Sequence, residues 1–376
     1  MVGPLEGIRV LEVGSYVSGP YAGQMLVDLG AEVIKVEGPP EGDLFRHFGR
    51  PPTPVSPLFA NCNRGKRSIC LDLKQPGSVQ KLLGLVATSD IWISNWRTGV
   101  ADRLGLGDDV LRSANERLIR INVTGYGSEG PNTDKPVYDL IVQAASGLTQ
   151  ATARAGAPQV QPGFPVDKIT GMMVAQAALA ALYARSQSGR GDRVDVSMLA
   201  SAAYFNFVDL FANRTFVDSA PEDPLNHHAL STQVLPAKDG WLAVAPVSGQ
   251  AIKRACDAVG HPEWVADIRR ATGQTQLLMR FFELFATVLP TQTTTHWLRV
   301  FAEHDVPASL CLTMDDHLAD PQVQVQGIYR MADWPEIGEV RTVGYPADFA
   351  AFDRLGSVAP PPAVGQDNDE LLTGRS

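Results

Sequence analysis

The chain has 376 residues, 44% hydrophobic and 19% charged, with a formal net charge of −9 at pH 7. This length predicts two compact units with ample core, and the acidic balance argues against a nucleic-acid partner, which needs a basic surface. The longest apolar stretch, 174–184, is too short to span a bilayer, and no secretory signal is recognisable. The four cysteines form no CxxC pair. We therefore expect a cytoplasmic protein with no membrane partner.

Alternating strands and helices are predicted along the first third of the chain. An apolar strand over 8–13 ends at Gly14, a helix over 21–29 stops at Gly30, and a strand follows at 32–37. This βαβ unit predicts the α/β class: a Rossmann-like open parallel sheet with helices on both faces. The glycines after the first strand do not form GxGxxG, so a dinucleotide site is not indicated. The pattern continues with strands at 68–73, 91–94 and 118–123 and a helix over 78–87.

The rest of the chain indicates a second domain. A long apolar helix over 171–185 is followed by a turn and by a further helix that reaches residue 210. A segment rich in Pro, Asp and Asn, 218–226, marks a boundary, and the strands and helices beyond it predict a smaller α+β domain. We predict a large domain over 1–200, a linker over 201–225, a small domain over 226–335 and a return to the large domain over roughly 336–376.

Asp167 stands between a Pro- and Gly-rich loop and the long apolar helix. Its position alone leaves two interpretations open. Asp is a favoured helix N-cap, and Thr170 could serve nearly as well. A carboxylate at a helix entrance can instead be held with its oxygens facing a cleft.

A basic cluster offers a site for one phosphorylated ligand despite the negative net charge. Arg64, Lys66 and Arg67 lie close together, and Lys74 follows seven residues beyond. The alternative is a solvated charged loop. The only paired histidines, at 227–228, lack the further ligands that a metal site needs, so we predict no metal and no permanently bound cofactor.

Motifs spread over nearly the whole chain match one known family. The matching segments are 4–13, 19–20, 29–37, 63–69, 71–74, 102–105, 125–127, 130–131, 138–139, 143–147, Asp167, 170–171, 189–191 and 194–196, with fainter matches at 306–307, 320–322 and 365–366. In these the chain resembles the class III coenzyme A transferases, also called CaiB/BaiF, which include formyl-CoA transferase and α-methylacyl-CoA racemase. The order of the motifs along the chain makes the resemblance more specific than any single motif.

The resemblance implies covalent CoA transfer, because Asp167 falls at the position of the family's catalytic aspartate. The carboxylate would attack an acyl-CoA thioester to give a mixed anhydride, and the freed CoA thiolate would then form an aspartyl-CoA thioester. An acceptor acid would open this thioester and leave with CoA. Coenzyme A is then a co-substrate, and the family typically forms an interlocked homodimer.

The resemblance also implies CoA contacts. Lys74 and Arg103 correspond to family positions near the adenine and phosphates, and Arg64, Lys66 and Arg67 would help to shape that site. A guanidinium can pair with phosphate bidentately, and lysine acts as a point charge. The alternative for Arg103 is a surface ion pair with the aspartate that precedes it.

Departures from the family narrow the expected activity. Tyr138, next to Asp139, stands where the racemases carry a histidine, so one base of a two-base proton transfer is missing. Val17 replaces a glutamine of formyl-CoA transferases, and 218–233 contains no glycine where those enzymes have a glycine-rich loop. Formyl-CoA and oxalate are therefore not expected as substrates. Tyr138 either hydrogen-bonds a substrate carboxylate or fills the cleft wall.

The sequence thus predicts an enzyme that moves CoA from an acyl-CoA thioester to a carboxylic acid. One rival is an acyl-CoA racemase or epimerase in which Asp167 acts as a base. Another is a non-catalytic acyl-CoA-binding protein in which Asp167 only caps a helix. The identity of the acids cannot be predicted from these motifs.

Overall fold

A computed structural model describes residues 3–49, 52–153, 156–219, 224, 234–353 and 355–373. The chain forms two compact units. The first comprises Met1–Leu148, Val160–Phe205 and Gln322–Ser376, and the second comprises Thr149–Gln159 and Asn206–Pro321. Within the described residues, no helix combines the length and apolar character needed to cross a membrane.

A six-stranded parallel sheet forms the centre of the first unit. Its strands are β1 Arg9–Glu12, β2 Glu32–Glu37, β3 Arg67–Cys70, β4 Ile91–Ser94, β5 Ile119–Thr124 and β6 Arg193–Ser197. They are arranged in the order β3-β2-β1-β4-β5-β6. Leu11 and Trp92 pair across β1 and β4 and are essentially inaccessible to solvent, as expected for central strands covered on both faces. The predicted Rossmann-like α/β sheet is confirmed.

Within the described parts of 18–206, the chain forms nine α-helices. They are α1 Ser18–Asp28, α2 Pro57–Asn63, α3 Ser78–Val86, α4 Val100–Arg103, α5 Asp108–Ala114, α6 Asp139–Ala145, α7 Leu148–Ala151, α8 Pro165–Ser188 and α9 Met198–Asn206. β1 and β4 are neighbours in the sheet. The chain continues from β1 to β2 on one side of this pair and from β4 to β5 on the other side. This is the topological switch point at which open α/β sheets bind ligands, beyond the carboxyl ends of the strands.

The second unit contains a three-stranded antiparallel sheet, β7 Val234–Pro236, β8 Trp241–Val244 and β9 Ala308–Leu310. The helices in the described part of this unit are α10 Gly249–Ala258, α11 Trp264–Ile268, α12 Gln274–Val288, α13 Thr294–Glu303 and α14 Met314–Ala319. Phe281, Phe285, Trp297 and Phe301 form the centre of its apolar core. A helix, α15 Pro321–Gln326, stands at the boundary.

The chain then returns to the first unit as an antiparallel hairpin, β10 Tyr329–Trp334 and β11 Gly338–Val343, and ends in a short helix, α16 Asn368–Thr373. The boundary predicted between residues 335 and 336 falls inside this hairpin, where Trp334 pairs with Gly338. Part of the predicted linker is helical, since α9 reaches Asn206. Residues 220–223 and 225–233 lie outside the described residues.

Candidate active site

Asp167 lies in the first turn of α8, which begins six residues earlier than predicted. Pro165 occupies the start of the helix, where its fixed backbone angle suits the first turn, and Phe164 is the N-cap. The capping interpretation of Asp167 is therefore wrong. Its carboxylate instead accepts a hydrogen bond from the hydroxyl of Ser18, at the start of α1.

A glycine brings the two helices together at this point. Gly171 lies one turn beyond Asp167 on α8, and a Cβ atom there would stand 2.9 Å from the carbonyl oxygen of Ser18 and 3.0 Å from Cδ1 of Tyr21. Only a residue without a side chain permits this approach of α8 to α1. The contact between Ser18 and Asp167 therefore depends on the absence of a side chain at residue 171.

The environment of Asp167 disfavours its charged form. Burial raises the pKa of this carboxyl to about 6, the hydrogen bond from Ser18 opposes the shift, and the negative charge of Asp139 adds to it. At neutral pH the group is still mainly ionised, but it is only partly solvated. A carboxylate in this state is a better nucleophile than one fully surrounded by water.

Asp139, at the start of α6, fixes the backbone at Asp167. It is buried, and its Oδ2 accepts the N–H of Asp167 at 3.0 Å, which satisfies a helix N-terminal donor. Its Oδ1 accepts from Nε2 of Gln143 at 2.5 Å. The amide oxygen of Gln143 in turn accepts the N–H of Gln161 at 2.9 Å. These bonds tie α6, the loop before α8 and Asp167 together.

The loop that follows β1 lies next to Asp167 and lines the same cavity. Ser15 and Asn95 exchange two hydrogen bonds: the N–H of Ser15 donates to Asn95 Oδ1 at 3.0 Å, and Asn95 Nδ2 donates to the carbonyl of Ser15 at 2.7 Å. Tyr16 has a φ of 64°, an unfavourable value for a side chain of this size. Its N–H donates to the carboxylate of Asp43 at 3.2 Å. The loop is thus held in one shape by neighbouring side chains.

A buried network of charges supports this loop from below. Lys35 contacts Glu12 Oε1 at 3.0 Å and Asp43 Oδ2 at 2.9 Å, and it also donates to the carbonyl of Gly14 at 2.9 Å. Lys66 reaches Glu12 Oε2 at 2.6 Å. Burial lowers the pKa of Lys66 to about 8. Through its bond to the carbonyl of Gly14, Lys35 therefore links the buried charge network to the loop that follows β1.

The expectation that Arg64, Lys66 and Arg67 shape a CoA site is corrected by their contacts. Arg64 pairs with Asp28 at 2.6 Å, and both it and Lys66 are only 5% exposed, which also excludes a solvated loop. Arg67 contacts three carboxylates: Glu32 at 3.1 Å, Asp367 at 3.0 Å and Glu370 at 2.7 Å. Each of the three cations is thus paired with carboxylates of the protein itself. These ion pairs connect parts of the fold and leave the cations with little free charge for a ligand phosphate.

Among the described residues of the first unit, several cavities lie along the carboxyl edge of the sheet, and three of them concern the surroundings of Asp167. The edge cavity, about 340 Å³, includes Lys74 and is flanked by Val100 and Leu104 of the segment around α4. The central cavity, about 260 Å³, shares Ser15 and Trp96 with it. The apolar cavity, about 470 Å³, shares Tyr16, Val17, Tyr138 and Asp167 with the central cavity.

The residues predicted for the substrate site come together around Asp167. Val17 is the buried N-cap of α1, and Tyr138, 59% exposed, packs edge-to-face on Tyr16 with ring centroids 5.9 Å apart. Lys74 lines the edge cavity. Arg103 does not line it; this exposed residue ends α4 and lies in the sequence between Val100 and Leu104, which do. Among the described residues, no ion pair joins Arg103 to Asp102.

Four further residues of this region were not predicted. Ser18 donates a hydrogen bond to Asp167, Asn95 bonds to Ser15 in the loop after β1, and the exposed cations Arg97 and Lys135 line the central cavity. Asn95 and Arg97 directly follow β4, so the rule that ligands bind at the carboxyl ends of parallel strands would have indicated them. The role of Ser18 depends on the contact between α1 and α8 and has no signal in the sequence.

Comparison with known proteins decides the family. Residues 5–368 match the model of CoA-transferase family III. The chain belongs to this family. It is similar to a probable fatty acyl-CoA transferase of Mycobacterium tuberculosis, with 34% identity over 98% of this chain and 97% of that protein. It is also similar to succinyl-CoA:glutarate CoA-transferase of Mus musculus, with 29% identity over 98% of this chain and 86% of that protein.

A solved structure supports the same assignment. The family III fold of this chain matches a CaiB/BaiF family protein from Brucella suis with a TM-score of 0.83 and 28% identity, covering 99% of this chain and 100% of the other. The resemblance found in the sequence is therefore confirmed, and the protein is a family III CoA-transferase.

Proposed function

We propose that this CoA-transferase moves CoA between two carboxylic acids through covalent intermediates on Asp167. The observation that carries the proposal is the position of this acid. It is partly buried, has a raised pKa, and lies where the central and apolar cavities meet. A thioester whose CoA part lies in one cavity and whose acyl part lies in the other would place its carbonyl carbon beside the carboxylate.

The chemistry then proceeds without net proton transfer. The Asp167 carboxylate attacks the thioester carbonyl and expels CoA thiolate, leaving a mixed anhydride. The thiolate attacks the aspartyl carbonyl of the anhydride, so the donor acid leaves and an aspartyl-CoA thioester remains. The acceptor carboxylate attacks this thioester and regenerates thiolate and a new anhydride. Attack of the thiolate on the acceptor's carbonyl yields the new acyl-CoA and frees Asp167.

The surrounding side chains orient the nucleophile. Ser18 binds one carboxylate oxygen and leaves the other for attack, and Asp139 fixes the backbone of Asp167. Holding the reacting atoms in place in this way can contribute several kcal/mol to lowering the barrier. The hydroxyl of Ser18 also prevents the carboxylate from turning away from the cleft.

For CoA we propose a path from the edge cavity through the central cavity to Asp167. The shared lining residues, Ser15 and Trp96, support a continuous path. Lys74 would meet the nucleotide phosphates at the outer end, with Arg103 on the adjoining helix. A cation near phosphate contributes both affinity and orientation.

We further propose a cytoplasmic homodimer. A run of aromatic and aliphatic side chains is strongly exposed, which is unusual for a protein without a partner. Its most exposed members are Tyr204, Phe205, Phe207, Val208, Phe216 and Val217. All four cysteines are free thiols, which supports a reducing compartment.

The test is a two-substrate transfer assay with an acyl-CoA and a free acid, in which the new acyl-CoA is separated by chromatography. Transfer by the native protein and its loss in Asp167→Asn would support the proposal. Exchange of the α-hydrogen in deuterated water, without transfer, would instead support the racemase alternative. Binding of acyl-CoA without either reaction would leave only the binding protein.

A further inference from the structure

The walls of the apolar cavity are made almost wholly of aromatic and aliphatic side chains. Phe45, Phe48, Leu140, Val160 and Phe164 line it together with Val17. The aromatic rings contact one another edge-on: Phe45 and Phe164 have centroids 6.0 Å apart, and Phe48 and Phe164 lie 6.4 Å apart. Their faces and edges remain available to an apolar group that enters beside Asp167.

The apolar cavity offers no positive charge to a substrate that carries a second carboxylate. Among the described residues that line it there is no Lys, Arg or His, and the only acids are Asp139 and Asp167. Asp139 is already satisfied by the N–H of Asp167 and by Gln143. A carboxylate buried here would lose its water and meet negative charge, which is strongly unfavourable.

Cations lie on the other side of the nucleophile. Arg97 and Lys135 line the central cavity, which Asp167 also borders, and neither lines the apolar cavity. Asp167 thus separates a side with positive charge from an apolar side. This polarity suits a thioester whose anionic CoA part and apolar acyl part point in opposite directions.

We propose that the acids exchanged by this enzyme include a bulky apolar monocarboxylic acid, whose hydrocarbon part occupies the apolar cavity. This rests on the proposed function, since it concerns the acyl group attached to Asp167. A cavity of about 470 Å³ exceeds what a formyl or acetyl group fills. Small dicarboxylic acids such as succinate and glutarate, named for the mouse relative, would place their second carboxylate against apolar walls.

The experiment compares CoA esters matched in length. Hexanoyl-CoA and 3-phenylpropanoyl-CoA are tested against adipyl-CoA, and the rate of aspartyl-CoA formation is followed by intact-protein mass. We expect the two apolar esters to react at least about tenfold faster than adipyl-CoA, because the unpaired second carboxylate must be desolvated. Reaction of adipyl-CoA as fast as hexanoyl-CoA would overturn the inference and leave the proposed function intact.

A charge introduced into the wall provides a second test. Leu140 is 51% exposed and lines the apolar cavity, so Leu140→Lys can be made without burying a charge in the core. We expect it to shift the ratio of adipyl to hexanoyl rates upward by about tenfold. The matched control is Val110→Lys, at an exposed position of α5 away from the cavity, which should leave the ratio unchanged.

The outcomes separate the two claims. An unchanged ratio in Leu140→Lys, with adduct formation intact, contradicts the placement of the acyl group in the apolar cavity. If no CoA ester forms an adduct with the native protein, the proposed function fails, and the substrate inference fails with it.

Discussion

Asp167 is less stable as a charged group in the folded chain than in water, and this has a measurable consequence. Its pKa in the fold is about 6, above the ordinary value of 3.8. Folding therefore favours the protonated carboxyl. The contribution of Asp167 to the free energy of unfolding is fully present below about pH 4 and is lost as the pH rises through about 6.

The variant Asp167→Asn should escape this loss. We expect its free energy of unfolding to exceed that of the native protein at pH 8 by about 2 kcal/mol, and the difference to disappear near pH 4. Denaturant unfolding at several pH values measures it. The control is Asp348→Asn at an exposed site. A variant less stable than the native protein at pH 8 would contradict the burial of this charge.

The hydrogen bond from Ser18 lowers the pKa of Asp167, so Ser18→Ala should raise it further. Only the ionised carboxylate attacks a thioester. We therefore expect adduct formation to fall below about pH 6 in the native protein and at a higher pH in Ser18→Ala. Stopped reactions across this range, analysed by intact-protein mass, give both midpoints. Ser113→Ala, at an exposed position, serves as the control; coincident midpoints would exclude the proposed role of Ser18.

At the scale of helices, the approach of α8 to α1 depends on Gly171. The variant Gly171→Ala places a methyl group 2.9 Å from the carbonyl of Ser18, so α8 must move outward. We expect stability to fall by roughly 1–3 kcal/mol and adduct formation by roughly ten- to a hundredfold. The matched control is Gly84→Ala in α3, where the new methyl group meets nothing within 4 Å and should stabilise the helix. Unchanged kinetics in Gly171→Ala would show that the contact is not needed.

The charge network under the β1 loop gives a second prediction at this scale. Replacing Lys35 by Met leaves the buried Asp43 without its cation and leaves Glu12 with Lys66 alone, which should cost about 3–5 kcal/mol of unfolding free energy. The control is Lys253→Met, whose exposed pair with Asp257 should contribute less than about 1 kcal/mol. Equal losses in the two variants, measured by denaturant unfolding, would contradict a supporting role for the network.

Periodicity and turn residues were enough to predict β1 to β5 of the main sheet, and β2 and β4 have the predicted bounds, whereas β6 was not predicted as a strand. The start of α8 was misplaced because its first turn, Pro165 to Lys168, looks like the end of the preceding loop. The basic segment 64–67 was misread for a different reason. Its partners, such as Asp28 and Asp367, are distant along the chain and become neighbours only in the fold.

For the whole molecule, the proposed homodimer rests on the exposed apolar run over 204–217. We expect the protein to sediment as a dimer at micromolar concentration, because isolated chains would expose Phe207 and Val208 to water. Phe207→Asp should weaken the dimer, whereas Val110→Asp, at an exposed position of α5, should not. A native protein that remains monomeric at these concentrations would contradict the homodimer.

The placement of the site at the switch point of the sheet could be anticipated from the strand order alone. Asp167, Val17 and Tyr138 line both the central and the apolar cavity there, and Asp139 lines the apolar cavity; that they form the substrate site stays a prediction. What the sequence could not indicate is the division of this region into a cationic side and an apolar side. That division arises from residues brought together by α6, α8 and the loop after β1.

The most direct test of the account is the mass of the intact protein after brief incubation with acyl-CoA esters, followed by peptide mapping. We expect the native chain to gain the mass of CoA less water, localised to Asp167, and Asp167→Asn to gain nothing. An adduct that persists in Asp167→Asn, or its absence from the native chain while transfer still proceeds, would contradict covalent catalysis by this residue.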